Sequence, residues 1–85
     1  MEKQEFWTRI RRDVAEAMCA NVKHFVWGVH DIQREVLGDT TFPVYHVEDN
    51  YDYLLRVICS KVGYSRLKDA VEKRFPGLCE FDVSP

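Results

Sequence analysis

The sequence predicts an all-α fold, a compact bundle of five to six helices, and three observations predict it. Apolar residues recur at helical spacing in several stretches, and single glycines and prolines fall where those stretches would end. The one stretch rich in β-branched residues finds no partner strand elsewhere. With 85 residues the chain makes one domain, which buries only about 60 to 65% of its unfolded surface. At 46% hydrophobic and 13% aromatic it is too apolar for a disordered segment.

The first helix is expected where Phe6, Ile10, Val14 and Met18 recur every four residues, with Arg9, Arg12, Asp13 and Glu16 between them. Trp7 extends that face, and Asn21 ends the helix. A second helix is expected from Val22 to Leu37 on the apolar set Val22, Phe25, Val26, Val29, Ile32, Val36 and Leu37. Its interior Gly28 costs about 1 kcal/mol relative to Ala and marks either a break or a close helix crossing. Gly38 then caps its C-terminus, since glycine enters the left-handed conformation freely. The segment Asp39 to Asp49 reads as an irregular loop or a short helix beginning at Pro43. Asp49 or Asn50 caps the next helix, whose first turn holds Asp52 and whose stripe is Tyr51, Leu54, Leu55, Ile58 and Val62, with Gly63 ending it. Ser65 caps a last helix facing inward through Leu67, Ala70, Val71 and Phe75 until Pro76 stops it. The domain is thus expected over residues 1–78, with 79–85 as a short tail.

No apolar run approaches the roughly 20 residues that span a bilayer, and the N-terminus MEKQEFWTRIRRD has no signal-peptide core. The expectation is a soluble cytoplasmic protein. Cys19, Cys59 and Cys79 are odd in number and far apart, so they read as small buried hydrophobes in a reducing compartment. There is no CxxC or HxxxH pair for zinc, no base beside Cys59 for nucleophilic catalysis, and no glycine loop to cradle phosphate. No metal, no cofactor and no catalytic activity are expected.

Charge is distributed unevenly. Residues 21–55 hold 2 basic and 6 acidic side chains, whereas residues 56–76 hold 6 basic and 2 acidic. Arg66, Lys68, Lys73 and Arg74 are therefore candidates for a basic face, and Asp31, Glu35, Asp39, Glu48, Asp49 and Asp52 for an acidic one. Two uses compete with the bland reading of a solvated helix face. The run VGYS followed by a helix ending KRF resembles the second helix-turn-helix of arabinose-regulator-type activators, which would make Ser65 to Phe75 a basic DNA-reading helix. Its spacing is about two residues short of that motif, and Asp69 and Glu72 stand where phosphates would repel them. Contact with a protein is the favoured use, because acidic and basic faces match each other and a head-to-tail encounter between them builds open assemblies.

The run YDYLLRVICSKVGYSRLKDAVEKRFPG resembles the last two helices of effector-associated domains, short adaptors of the death-fold superfamily, through Leu54, Leu55, Ile58, Gly63, Leu67, Val71 and Pro76. The resemblance implies a non-catalytic adaptor that recruits a like domain, or itself, in a signalling or defence pathway.

Overall fold

The computed structural model describes residues 2–38, 44–47 and 52–84. Their order is β1 (Gln4–Ile10), α1 (Arg12–Ala17), α2 (Val22–Leu37), β2 (Val44–Val47), β3 (Tyr53–Cys59), α3 (Lys61–Arg74) and β4 (Cys79–Phe81). The strands form one sheet in the order β2-β3-β1-β4, antiparallel at every step. This overturns the all-α, death-fold-like bundle: the chain is a small α/β domain with, among the described residues, three helices on a four-stranded sheet. Its element order is that of a split β-α-β sandwich in which the first crossover carries two helices.

The physical reason for the error begins in β1. Residues four apart share a side in a strand as well as in a helix, because the strand period of two divides four. Phe6 and Ile10 fit both readings, and Thr8 between them is 2% exposed, which only a strand allows. The aromatic and β-branched run of QEFWTRI suits a pleated surface. In β3 both faces carry apolar residues, so the alternation that marks a strand disappears from the sequence. Once β3 is a strand, β2 has its partner: Val44 opposes Arg56 and Val47 opposes Tyr53. The expected tail also joins the sheet, with Thr8 opposite Phe81 and Ile10 opposite Cys79.

The helices pack on one side of this sheet around a single core that includes Ile10, Val26, Val29, Leu55, Val57, Leu67 and Leu78. Helix α2 has the expected bounds and is continuous through Gly28, where an added Cβ would come within 3.0 Å of the Phe75 ring. That glycine therefore serves a close approach to the start of the α3–β4 connection. Asn21 is not the end of a helix but the N-cap of α2, its Oδ1 accepting from the Lys23 N–H at 2.8 Å. Gly38 ends α2 in the left-handed conformation, as expected. The short α1 closes with Cys19 at φ 57, the Ala20 N–H donating to the Ala15 carbonyl and the Cys19 N–H to that of Glu16.

Helix α3 starts earlier than Ser65. Ser60 is its cap, accepting from the Gly63 N–H at 3.0 Å, and Gly63 and Ser65 both lie inside the helix. Gly63 is thus no joint between two helices. Tyr64 points into the sandwich, 2% exposed, with its ring stacked on Phe6 at 4.1 Å. Its hydroxyl lies 3.0 Å from Thr8 Oγ1 and accepts from the Asp82 N–H at 3.1 Å, tying α3 to β1 and to the end of β4.

Candidate functional site

Alternation along the strands divides their side chains between two faces. Phe6, Thr8 and Ile10 of β1, with Tyr53, Leu55, Val57 and Cys59 of β3, turn to the helices. The other face carries Glu5, Trp7 and Arg9 of β1 and Leu54, Arg56 and Ile58 of β3, with no described helix over it. His46 of β2 and Glu80 of β4 extend it to both edges.

At its centre Trp7 and His46 stack, with ring centroids 5.7 Å apart. Their strands are both neighbours of β3 and not of each other, so the two rings meet above β3. Leu54, paired with His46 in register, is 4% exposed although no described helix covers it, whereas Ile58 toward the end of the strand is 46% exposed. The charges are arranged in pairs. Glu5 accepts from Trp7 Nε1 at 2.9 Å and lies 3.7 Å from Arg56, and Glu80 lies 2.9 Å from Arg9. Two acids and two bases cancel, so the face is neutral with an aromatic and aliphatic centre.

The residues expected to form a basic face are divided. Lys68 is 3.2 Å from Asp82 and sits over the Tyr64 ring, and Arg74 lies over the Phe75 ring at 5.6 Å. Arg66 and Lys73 are exposed and, with Asp69, Val36 and Ala70, line a shallow groove of about 370 Å³ between α2 and α3. Of the acidic candidates, Asp31 and Glu35 are exposed on α2, while Asp39, Glu48 and Asp49 lie outside the described residues. Asp52 is a correction: it is 7% exposed, and its Oδ1 accepts the Arg12 N–H at 2.7 Å at the start of α1. An acceptor there satisfies one of the free amides of a helix N-terminus, so this carboxylate holds the fold together. Of the two expected faces, the exposed described members are Asp31 and Glu35 on α2 and Arg66, Lys73 and Arg74 on α3.

The helix-turn-helix reading loses its geometry, because a strand precedes α3 and its Tyr64 is buried against the sheet. Among the cysteines, Cys59 and Cys79 are buried but Cys19 is exposed, contrary to expectation. Burial, with a smaller contribution from Glu72, pushes the Cys79 thiol up to about 12, which leaves it protonated and unreactive at neutral pH. Among the described residues no group of three or more His, Cys, Asp or Glu could hold a metal ion, and no helix is long and apolar enough to cross a membrane. A second cavity, about 380 Å³, opens where Arg12, Glu16, Asn21 and Tyr53 meet, and Glu16 already neutralises Arg12 at 2.7 Å.

Sequence reasoning missed Trp7, Arg56 and Ile58 as surface residues. The signal was present as FWTR and RVIC, where every second residue belongs to one face, but the four-residue apolar spacing masked it. No protein-family model, curated protein or solved structure matches the chain.

Proposed function

We propose that this chain is a non-catalytic protein-interaction module whose docking surface is the uncovered face of its sheet. The observation that carries the reading is a sheet covered by the described helices on one side only, with Trp7 stacked on His46 at the centre of the other side and the exposed Ile58 toward the end of β3. Trp and Arg around an apolar centre are the residue types that dominate protein interfaces. Paired charges summing to zero favour a protein partner with an apolar centre of its own over a polyanion, because nucleic acid rewards excess positive charge. Adaptor function in the death-fold manner rests on a bundle that the chain does not form; association with another protein needs only the face. The domain holds its core on one side of the sheet, and it acts by binding through the other.

The test places a photo-crosslinking residue at Ile58 in the protein as produced in its own cells, with a control at Ser65 on the helical side. Ile58→Asp accompanies it, and an unchanged thermal midpoint verifies that this exposed change spares the fold. A protein adduct formed at position 58, absent at 65 and abolished by adding Trp7→Ala, is expected. Adducts sensitive to nuclease, or equal adducts at both positions, would overturn the reading.

A further inference from the structure

We infer that the outer edge of β2 is a self-pairing site, through which two copies of this chain join their sheets into one and form a closed dimer. Strand order places β2 and β4 at the two edges of the sheet. The two edges are built differently. Natural sheets guard an edge with charged side chains or a local kink, because its unpaired N–H and C=O groups invite another strand. β4 has both guards: it carries Glu80, and it is broken by Asp82, whose backbone at φ 58 turns its N–H onto the Tyr64 hydroxyl at 3.1 Å. β2 has neither guard within its four residues. Its sequence is VYHV, without Lys, Arg, Asp or Glu, and in it His46 is exposed and Val47 is 52% exposed.

Which backbone groups face that edge follows from the ladder. In antiparallel pairing every second residue turns its N–H and C=O to one neighbouring strand, and the residues between turn theirs to the other side. The Arg11 N–H donates to the Leu78 carbonyl and the Val83 N–H to that of Trp7, both at 3.1 Å, so Trp7, Arg9 and Arg11 bond toward β4. Thr8 and Ile10 therefore bond toward β3, in register with Leu55 and Tyr53. Leu54 and Arg56, on the alternate positions of β3, bond toward β2, in register with His46 and Val44. Tyr45 and Val47 are left with their N–H and C=O groups pointing away from β3. Among the described residues no strand lies beyond them. The edge thus presents two donors and two acceptors, on residues about 7 Å apart.

A twofold axis normal to the sheet, passing beside His46, lays β2 antiparallel to its copy. Tyr45 then stands opposite Val47 of the second copy, Val47 opposite its Tyr45, and the two His46 residues side by side. Every outward N–H and C=O of both strands is bonded by β2 alone. Sliding one strand by two residues in either direction leaves Tyr45 or Val47 with no β2 residue opposite, and sliding by one sets outward groups against inward ones. Complementarity here is a property of the backbone, and VYHV brings no Lys, Arg, Asp or Glu against its own copy, where like charges would oppose pairing. The contact is isologous and occupies the open edge of each copy, so assembly stops at two, with the β4 edge broken by Asp82. The two four-stranded sheets become one, and the bare faces with their stacked Trp7 and His46 join into a surface of twice the width. The pairing spans only about 14 Å of strand, well below a standard interface, so the dimer is weak.

Sedimentation equilibrium on the intact protein, from about 10 µM to about 1 mM, should show a reversible monomer–dimer equilibrium. Val47→Pro removes one outward N–H from each copy and leaves the β2–β3 hydrogen bonds in place, since the Val47 N–H does not serve them. It should weaken the dimer about tenfold or more, whereas Val47→Thr, which keeps the N–H and the branched shape, stays within about threefold of the parent. Circular dichroism of both variants verifies the fold. Amide exchange on the unsubstituted chain reads the same groups directly: Tyr45 and Val47 should gain protection as concentration rises, while Val44 and His46, bonded to β3, keep theirs. A monomer at every concentration, growth beyond the dimer, a dimer indifferent to Val47→Pro, or one in which Tyr45 and Val47 exchange as they do in the monomer overturns the proposal. A dimer kept in Val47→Pro and lost in Ile58→Asp assigns self-association to the sheet face instead. If the protein stays monomeric and Val47→Pro removes the cellular adduct at position 58, the edge takes a strand of another protein and not of a second copy.

Discussion

Tyr64 joins three elements with one side chain. Its ring fills the space between α3 and β1 against Phe6, and its hydroxyl serves both Thr8 and the Asp82 amide. Asp82 adopts φ 58, which turns its N–H away from the strand ladder, and the phenol supplies the acceptor that the sheet does not. Tyr64→Phe keeps the ring and leaves both groups without this partner, so it is expected to cost about 1 to 3 kcal/mol in urea denaturation. Burial raises the Tyr64 phenol above its usual range, and it pushes the Cys79 thiol to about 12 from an ordinary 9.0. For Cys79 a raised folded pKa means that the native state holds its proton more tightly than the unfolded chain. Its contribution is fully present below pH 9.0 and is lost as pH rises from there toward about 12. Stability should therefore fall by about 1 kcal/mol per pH unit more steeply in the native protein than in Cys79→Ala over that window, as alkaline denaturation curves would register.

At the level of elements, the two helical glycines share one sequence rationale and differ in what surrounds them. Replacing either by Ala removes about 1 kcal/mol of helix-propensity penalty. At Gly28 the new methyl meets two atoms of the Phe75 ring at 3.0 and 3.1 Å, and that ring is itself held edge-on against Phe25. At Gly63 the closest atom is the far methyl of the half-buried Leu37 at 3.0 Å, free to turn aside, with the Ser60 cap at 3.1 Å. Gly28→Ala should destabilise the domain by about 1 kcal/mol, while Gly63→Ala stays within about 0.5 kcal/mol of the parent; thermal melts compare them. Helix α2 was legible because its apolar period and its Gly38 stop agree with one another, although Asn21 was read as the end of a preceding helix and not as the N-cap that it is. Strands β1 and β3 were not, since Phe6 and Ile10 fit two periods and Leu54 and Leu55 put apolar groups on both faces of one strand.

For the whole molecule the decisive asymmetry is between the two sides of the sheet. One side holds the core, in which Ile10, Leu55 and Val71 are 0% exposed; the other carries Ile58 at 46% under no helix. The Ile58→Asp change opens no cavity in the core for that reason and is informative for binding. The same two-layer plan leaves Asp31 and Glu35 of α2 and Arg66 and Lys73 of α3 exposed in the helical layer. Of the candidate site, the open charges of α2 and α3 were legible as charges. Their sharing of one surface was not, and neither was the role of Asp52 as a cap reaching across 40 positions of sequence. By itself the sequence determined a small single core, the course of α2 and the absence of zinc-finger or phosphate-loop spacing, because those depend on residues near one another in the chain. Only the tertiary structure decided that Phe6 to Ile10 is a strand and that Trp7 belongs to a surface. Strand pairing is a contract between distant segments, β1 with β3 and β4, and no local period records it.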